Sequence, residues 1–557
     1  MFASMQTPPA FEEEVWIGGA VLNQINDNRF DLNDWLSFGD VANNPEVAPA
    51  ILLSKPFGFE YPKSVAGLVC QLKKADVSQN SLIALLSVAA ETKDAEKPMH
   101  VVVGTPMRGI AGQGEERRQH LAIWEIEPLA VQRLALVTKA LNLCEKWGDG
   151  EGKKEIFKLT DEIIEAAKAW TKEARIGWCR IMENRPEVTQ RRDGESPLHA
   201  FRGKKVALLG CGAIGGCVAE HLARTGVEHI TLMDNGQVHP GILVRQNFRN
   251  EDIGAWKADA LKDRLLAINP ALNCEASKEN VYQDLLANTE WIEQFDIVID
   301  ATASLRVRTK LEELKQGSAI TAMAASLMVS SRAEHAAMAA SPPEYTGATL
   351  DTLRKLGLSV MNRDHLSVYK NAFWATESDR QLFQPEPGCS DPTFVGSSAD
   401  VGVLAGKMLN KLAELLSSSG EEAYGVLFSR DSTENYDYLF AYQPDILIQT
   451  GNGVDVRLTQ HAWRDIKGWI NSGARERGPL VETGGLLFGE FNDVVNVLWV
   501  NEVIGPPSDS EFSEAEFVCG TSGSQEINQE KKKRTGNSVK FIGTWHSHPI
   551  SPGQPSQ

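Results

Sequence analysis

The chain has 557 residues, a length that predicts about three domains. Hydrophobic residues make up 42% of it and charged residues 23%, which is ordinary for a globular protein. Its 74 acidic and 56 basic side chains give a formal net charge of −18. That surplus argues against nucleic acid or a membrane as a partner, because phosphate backbones and anionic lipids would be repelled.

The sequence carries no sign of export or membrane insertion. Its first stretch, MFASMQTPPAFEEEVW, lacks the basic start and apolar centre of a signal peptide. No apolar run approaches the roughly 20 residues of a membrane span. The eight cysteines are dispersed without a C-x-x-C pair, which fits a reducing compartment. We therefore expect a cytoplasmic protein.

Residues 1–165 predict an α+β domain with little readable chemistry. PMHVVVGTPMRG and HLAIWEIEP are typical of strands, and LAVQRLALVTKALNLCEKW is typical of a helix. Cys70 is expected to be a buried structural cysteine rather than a nucleophile. The role of this region stays open at the level of sequence.

Residues 166–440 predict an α/β domain with a mostly parallel, Rossmann-like sheet. After the charged, helix-like stretch 151–187, the segments KKVALLG, CGAIGG, CVAEHLARTG and VEHITLMD are typical of a strand, a glycine turn, a helix and a strand. Gly210, Gly212 and Gly215 have G-x-G-x-x-G spacing. This spacing permits a tight turn and lets a phosphate approach the backbone at a helix N-terminus.

The residues after the glycine turn distinguish between possible ligands. Asp234 ends the next strand, where a carboxylate can bind ribose hydroxyls, but NAD, FAD, ATP or an unliganded turn would all fit so far. Arg245 follows in VHPGILVRQNF, and Lys257 begins the helix-like stretch KADALKDRLLAINP. A triphosphate needs such cations on its outer phosphates, whereas hydride transfer needs neither. Asp300 ends the strand of FDIVIDATASLRVR, where it suits a metal ion or the nucleotide.

Five segments, in their order along the chain, resemble the E1-like adenylating enzymes. They are VALLGCGAIGG, ITLMD, VRQ, the downstream lysine with NP, and FDIVIDATA. That superfamily includes ThiF, MoeB and the ubiquitin-activating enzymes. The resemblance covers residues 190–420 and implies ATP and Mg2+ as cofactors and a homodimer formed through the adenylation domain. The residues that it assigns to ATP are Gly210, Gly212, Gly215, Asp234, Arg245 and Lys257.

Two positions depart from the pattern of that superfamily. Three residues before the arginine, where the superfamily usually has an asparagine, this chain has Ile242. Where a second, magnesium-binding aspartate is common, it has Ala303. Asp300 is then expected to hold the metal alone, or turnover is expected to be slow.

Cys389 lies in PEPGCSDPTFVGSS, a loop rich in Gly, Pro and Ser that precedes a long helix-like stretch. Thioester-forming E1-like enzymes have a cysteine at this place, so the resemblance implies that Cys389 attacks the acyl-adenylate. A thiolate is a strong nucleophile and AMP is a good leaving group. A loop cysteine without function and a zinc ligand are the alternatives, and zinc is disfavoured by the lack of a C-x-x-C pair.

The region 441–557 predicts a smaller α+β domain that contains ETGGLLFG and KFIGTWHSHP. Glu482, His546, His548 and Ser556 match the JAMM (JAB/MPN) metalloproteases, which this region resembles and whose signature is an upstream glutamate and H-x-H-P-x6-S-x-x-D. The resemblance implies zinc bound by the two histidines, Glu482 as general base and Ser556 as oxyanion stabiliser. The third ligand, an aspartate, would fall at position 559. The domain is therefore expected to be incomplete at its C-terminus, with weak zinc binding and poor hydrolysis, whereas a longer chain is expected to be an isopeptidase.

Together the two resemblances predict a bacterial ubiquitin-like conjugation protein, with a role in antiviral defence. One module would adenylate the C-terminus of a ubiquitin-like β-grasp protein and form a thioester on Cys389, and the other would process or remove that protein. Residues 1–165 would be E2-like or would dock a partner, and a separate E2-like protein is a further expected partner. One alternative is activation of a sulfur carrier for cofactor or cysteine biosynthesis. The other is a non-catalytic scaffold that only binds a β-grasp protein.

Overall fold

A computed structural model gives the fold of the chain as two compact units, Met1–Arg192 and Asp193–Gln557. The residues that the structure describes are 2–4, 6, 8–10, 13–26, 29–41, 46–56, 58, 61–94, 96–106, 119–147, 153–183, 196–287, 290–317, 320–375, 394–431, 437–451 and 453–550. Among them, none of the helices combines the length and the apolar character that a membrane span requires.

The first unit packs helices against one face of a mixed β-sheet. Its strands are β1 (Phe2–Ser4), β2 (Val15–Asn26), β3 (Arg29–Ser37), β4 (Val47–Leu53), β5 (Met99–Pro106), β6 (Gln119–Ile126), β7 (Ile176–Cys179) and β8 (Ile181–Glu183). Its helices are α1 (Phe38–Val41), α2 (Val65–Lys73), α3 (Gln79–Thr92), α4 (Pro128–Trp147) and α5 (Lys153–Glu173). Within the described residues the strand order is β7-β6-β5-β4-β2-β3-β1-β8.

The two faces of this sheet form separate cores. On the helix-covered face, Val101 and Trp124 pack in one cluster with apolar residues of α2, α3 and α4. On the other face, Val102 and Ile123 belong to a smaller cluster that includes the rings of Phe30 and Trp35. Successive strand residues point to opposite faces, so one alternating sequence supplies both cores.

The predicted boundary at residue 165 is wrong, because it falls inside α5. The indole nitrogen of Trp170 donates to the Ala130 carbonyl at 2.8 Å, which fixes α5 on α4. Strands β7 and β8 then complete the sheet of the first unit, which extends to Arg192. Cys70 is exposed, so the expectation of a buried cysteine there is also wrong.

The second unit contains a large α/β sheet and a smaller sheet. Its strands are β9 (Lys205–Leu209), β10 (His229–Met233), β11 (Asn273–Ser277), β12 (Ile297–Asp300), β13 (Met323–Val329), β14 (His335–Ser341), β15 (Ala423–Ser429), β16 (Tyr438–Tyr442), β17 (Ile446–Gln449), β18 (Asp455–Leu458), β19 (Gly484–Asn492), β20 (Val497–Ile504), β21 (Glu511–Phe512), β22 (Phe517–Val518) and β23 (Lys540–His546). Its helices are α6 (Ala213–Thr225), α7 (Lys257–Ile268), α8 (Val281–Ala287), α9 (Leu305–Gln316), α10 (Thr349–Met361), α11 (Ser367–Phe373), α12 (Ser398–Leu416), α13 (Gln460–Arg477) and α14 (Ser524–Arg534).

The large sheet has the Rossmann-like α/β fold that the sequence predicts. The described strands run in the order β11-β10-β9-β12-β13-β14-β15-β16. Pairing is parallel from β11 to β13 and antiparallel from β13 to β16. Strands such as KVALL and IVID are short and almost wholly apolar because both faces of this part of the sheet are covered.

The smaller sheet has the order β17-β18-β20-β19-β23 within the described range, and β21 pairs with β22. It carries α13 and α14, as expected for the α+β region at 441–557. The predicted boundary at residue 440 lies inside β16, which pairs with β15 of the large sheet. Both sheets belong to one compact unit, so they are not separated as the sequence suggested.

Buried charges join the two sheets of the second unit. Glu312 of α9 accepts from Arg457 of β18 at 2.5 Å, and the side chains of this pair are 0% and 1% exposed. Lys355 of α10 contacts Asp351 at 3.1 Å and Asp445 at 2.8 Å. The hydroxyl of Tyr345 donates to Asp351 at 2.8 Å. We refer to Glu312, Tyr345, Asp351, Lys355, Asp445 and Arg457 as the junction cluster.

Candidate functional site

The glycine turn between β9 and α6 needs glycine at two positions for different reasons. Gly210 has φ of 92°, a left-handed conformation that favours glycine. A Cβ added at Gly215 would overlap the carbonyl oxygen of Gly210, so the helix packs against the turn only with glycine there. At Gly212 an added Cβ would meet no described heavy atom within 4 Å, which leaves open space beside the backbone.

Helix α6 begins at this open space. Gly212 is its N-cap residue and supplies no side-chain hydrogen bond to the first turn. The first amide groups of a helix have no partner within the helix and carry the positive end of its dipole. The start of α6 therefore suits a phosphate, as the glycine spacing predicts.

Asp234 connects the glycine turn to the loop after β10. Its Oδ2 accepts from the amide of Cys211, and its Oδ1 accepts from the amide of Gly236, both at 2.7 Å. The carboxylate is only partly buried, so it retains acceptor capacity toward a ligand.

Lys257 approaches the same loop from the start of α7. A Cβ placed on Gly236 would lie 3.2 Å from Lys257 Nζ and 2.9 Å from Asp234 Oδ1, so both side chains surround one point. The Lys257 amide also donates to the Gly236 carbonyl at 2.9 Å. Burial raises the pKa of the neighbouring Cys211 thiol well above its ordinary value, Asp234 raises it further, and Lys257 opposes both effects. The structure thus brings the predicted carboxylate and cation together at the glycine turn.

Arg245 lies on the loop before α7, beside an aromatic ring. Its guanidinium carbon is 5.7 Å from the centre of the Phe394 ring. Among the described residues its buried Nε has no hydrogen-bond partner, and neither has the side-chain oxygen of Gln246. Buried polar atoms are usually paired, so unpaired atoms here are consistent with a bound anion or water. Phe394 could not be predicted as part of this site, because one phenylalanine in a loop has no periodic pattern.

Asp300 ends β12, where the sequence predicts it, and its role as a ligand of a metal ion or of the nucleotide stays a prediction. Its side chain is fully buried and accepts from the Thr302 amide at 2.9 Å, the Thr302 hydroxyl at 2.6 Å and the Ser326 hydroxyl at 3.1 Å. These bonds brace the loop after β12, which favours a structural role over a metal ligand. Ala303, at the position of the missing second aspartate, has φ of 56°. Aspartate tolerates that conformation better than most residues do.

Cys389 and Ser556 lie outside the described residues. Their predicted roles as nucleophile and oxyanion stabiliser therefore stay predictions.

A second candidate site lies where β19 and β23 pair in the smaller sheet. The strands are antiparallel with Gly484 opposite His546, so Glu482 and His548 flank the same end of the pair. One donor atom from each of Glu482, His546 and His548 lies within 4.8 Å of the others. His548 Nδ1 is 2.9 Å from Glu482 Oε1, and the two imidazole centres are 4.5 Å apart.

Backbone contacts fix this second site. The Thr483 amide donates to the Ser547 hydroxyl at 3.1 Å, and the Ser547 amide donates to the Thr483 carbonyl at 2.8 Å. A Cβ on Gly484 would overlap both the Trp545 carbonyl and the Phe517 ring, which explains a glycine there. Glu482 is 5% exposed, and a carboxylate so buried usually has charged or polar partners. One carboxylate and two imidazoles are donors that zinc accepts.

Comparisons with known proteins show which proteins the region of the first site is similar to. Residues 188–342 match the model of the ThiF family. Protein y4qC of Sinorhizobium fredii, itself uncharacterized, is 27% identical over 246 residues, which cover 41% of each chain. The molybdopterin-synthase adenylyltransferase of Haemophilus influenzae is 32% identical over 121 residues, 22% of this chain and 48% of its own.

A third relative carries a ubiquitin-related name. The ATP-dependent ubiquitin transferase-like protein Cap2 of Vibrio cholerae is 28% identical over 141 residues, 25% of this chain and 23% of its own. The chain spans less than half the length of each of these three relatives.

Proposed function

We propose that the ThiF-family, E1-like adenylyltransferase domain of this chain activates the C-terminal carboxylate of a ubiquitin-like β-grasp protein. A carboxylate oxygen of that protein attacks the α-phosphate of ATP, an acyl-adenylate forms and pyrophosphate leaves. The observation that carries this proposal is the convergence of Asp234 and Lys257 on the glycine turn at the start of α6.

Each element of the site has a part in this reaction. The open backbone at Gly212 admits a phosphate to the first amides of α6. Lys257 neutralises negative charge that develops on the leaving pyrophosphate, with Arg245 as the second cation. Asp234 orients the ribose by accepting hydrogen bonds from its hydroxyl groups. Mg2+, when bound, would supply further charge neutralisation at the phosphates.

The choice of a protein substrate is supported by relatives rather than by the site itself. The name of the Vibrio cholerae relative refers to ubiquitin transfer, and that of the Haemophilus influenzae relative refers to adenylylation of another protein, molybdopterin synthase. We therefore favour a ubiquitin-like protein over a small carboxylic acid. A homodimer, an E2-like partner and a role in defence stay predictions.

ATP–pyrophosphate exchange tests this proposal. The purified chain should exchange radioactive pyrophosphate into ATP only when a β-grasp protein encoded beside it is added. Deleting the C-terminal glycine of that protein should abolish the exchange. Exchange that is independent of the protein, or none with any neighbouring β-grasp protein, would contradict the proposal.

Cys389 is proposed to take the acyl group from the adenylate. Replacing Cys389 with alanine should abolish a thiol-reducible conjugate with the β-grasp protein and leave pyrophosphate exchange unchanged, because the thiol acts only after adenylation. Non-reducing gels with and without dithiothreitol measure the conjugate. Cys70→Ala, at an exposed cysteine, is the matched control and should retain it. A conjugate that persists in Cys389→Ala would exclude this role.

Glu482, His546 and His548 are proposed to form a zinc site that hydrolyses bonds to the same β-grasp protein, with weak metal binding and slow hydrolysis as long as only two protein ligands hold the ion. The two imidazoles would hold the ion, and zinc would lower the pKa of a bound water. Glu482, buried and 2.9 Å from His548, would accept the proton of that water. The supporting observation is the grouping of these three donors at one strand end.

Two variants separate metal binding from catalysis at this zinc site. His548→Ala should remove one equivalent of zinc per chain at saturating metal, measured by equilibrium dialysis, whereas Glu482→Gln should keep that zinc. Glu482→Gln should lower hydrolysis of a C-terminally extended β-grasp protein by about 10²–10⁴-fold, because it removes the general base. His461→Ala, at an exposed histidine of α13, is the matched control. Unchanged zinc content in His548→Ala would contradict the site.

A further inference from the structure

Three side chains that can bind a metal ion meet on the sheet of the first unit, and none of them belongs to the sites described so far. His100 lies on β5, Glu125 on β6 and Cys179 on β7, three strands that are neighbours in the sheet. One donor atom from each lies within 4.8 Å of the others. The sequence pattern did not indicate this cluster, because the three residues are far apart in the chain and match no ligand spacing.

The strand register explains why the three side chains share a face. His100 pairs with Glu125, and Glu125 pairs with Gly177, two residues before Cys179. Side chains two residues apart on a strand point the same way, so Cys179 lies on the face of Glu125. The helix-covered face instead carries residues such as Val101. The cluster therefore results from the pairing of the sheet and not from a mobile loop.

The distance between two of the donors fits a shared metal ion. His100 Nε2 and Glu125 Oε2 are 3.4 Å apart. This is longer than the roughly 2.7–3.2 Å of a typical N–H···O hydrogen bond. Two ligands of a tetrahedral zinc, each about 2.0–2.1 Å from the metal, lie about 3.3 Å apart.

The surroundings hold two of the donors and leave the third open to solvent. His100 is 8% exposed, and its ring centre is 5.1 Å from that of Phe30, which restricts the orientation of the imidazole. Cys179 is partly buried and packs against the apolar cluster that contains Val102 and Ile123. The side chain of Glu125 is 47% exposed, so an ion could enter from its side. Lys93 lies near enough to act electrostatically on His100, and two anionic ligands would outweigh its repulsion.

We propose that His100, Glu125 and Cys179 bind a zinc ion, with water as the fourth ligand. Thiolate and imidazole donors favour zinc over magnesium or calcium, which prefer oxygen ligands. On binding, the Cys179 thiol releases its proton to solvent and the sulfur donates its electron pair to the ion. This site has an open position that a structural site with four protein ligands lacks.

Cobalt(II) absorption of the intact chain tests the proposal, because cobalt replaces zinc and its bond to a thiolate produces a near-ultraviolet charge-transfer band. Glu482, His546 and His548 contain no thiol, so the band distinguishes the two proposed sites. The wild-type chain should show the band, and zinc should displace it stoichiometrically. Cys179→Ser should abolish the band. His100→Ala should weaken cobalt affinity by at least about 100-fold, since even outer-shell partners of metal ligands often contribute 10–100-fold.

Two control variants and one further test variant accompany this experiment. Cys70→Ser, at an exposed cysteine of the same unit, and His546→Ala should both retain the band. Glu125→Gln changes an exposed side chain and should fold normally, yet it should weaken cobalt binding. No band in the wild-type chain, or a band that survives in Cys179→Ser, would overturn the proposal. If Cys179→Ser fails to fold by circular dichroism, unchanged affinity in Glu125→Gln would overturn it instead.

Discussion

Replacing Lys257 with alanine is expected to lower partner-dependent ATP–pyrophosphate exchange by about 10²–10³-fold, the usual effect of removing one preorganised group from a developing charge. Lys257 Nζ and the Asp234 carboxylate surround the same point at the glycine turn. Negative charge grows on the leaving pyrophosphate as the bond to the α-phosphate breaks. A cation fixed at the start of α7 stabilises that state more than it stabilises bound ATP.

This prediction separates a catalytic role from simple binding. ATP affinity, measured by calorimetry without the β-grasp protein, should fall far less than exchange does. Lys262→Ala on the same helix is the matched control, and it should leave both quantities near the wild-type values. An equal loss of affinity and exchange in Lys257→Ala would mean that Lys257 acts only by binding the nucleotide.

The part of the fold that the sequence predicts well is the part with local constraints. The turn at Gly210 needs a left-handed residue, and the packing of α6 needs glycine at 215, so the glycine spacing itself specifies strand, turn and helix. The convergence of Asp234 with Lys257 also follows from chain order in a parallel sheet. The positions of those residues could therefore be predicted from sequence alone, whereas their binding of ATP stays a prediction.

The features that the sequence does not predict depend on distant contacts. Helix α5 belongs to a charged, helix-like stretch in which the sequence placed a domain boundary, but the hydrogen bond from Trp170 to Ala130 joins it to a helix earlier in the chain. Asp300 accepts three hydrogen bonds, one of them from Ser326 on the neighbouring strand β13. No local pattern reports such partners, because each contact exists only after the tertiary structure has formed.

The junction cluster is formed by residues that lie far apart in the chain. Glu312 and Arg457 are 145 positions apart in sequence, yet they pair inside the unit. Glu312 also accepts from the Ala348 amide at 2.9 Å and the Asp351 amide at 3.3 Å. Burial raises the pKa of the Glu312 carboxyl, and Arg457 opposes that shift. The Arg457 guanidinium is the strongest of the influences that favour the charged form of this carboxyl.

Replacing Arg457 with methionine is therefore expected to destabilise the second unit by about 3–5 kcal/mol, since it leaves a buried carboxylate without its counter-charge. Urea unfolding followed by tryptophan fluorescence measures the loss. Arg249→Met breaks an exposed 2.8 Å pair with Glu251 and is the matched control, with a far smaller expected loss because water screens that pair. An equally small loss in Arg457→Met would mean that the pair is not desolvated.

Acid should reduce the penalty of Arg457→Met. Without Arg457 the folded-state pKa of Glu312 rises further above its unfolded-state pKa. The stability of the variant relative to wild type is therefore highest at a pH below that unfolded-state pKa. The variant then loses relative stability as the pH rises through the folded pKa. Its deficit against wild type should consequently shrink as the pH falls from neutral towards the ordinary pKa of a glutamate carboxyl. A deficit that is constant over this range would point to lost packing rather than an uncompensated charge.

The double variant Arg457→Met with Glu312→Gln completes this test. Glutamine can still accept from the Ala348 amide, so the double variant removes the stranded charge while it keeps that hydrogen bond. We expect it to recover more than half of the stability lost in Arg457→Met, and to show no recovery with acid. Recovery would locate the cost in the charge of Glu312. It would also show that Glu312 and Arg457 stabilise the contact between the two sheets only as a pair, because each buried charge is tolerated only in the presence of the other.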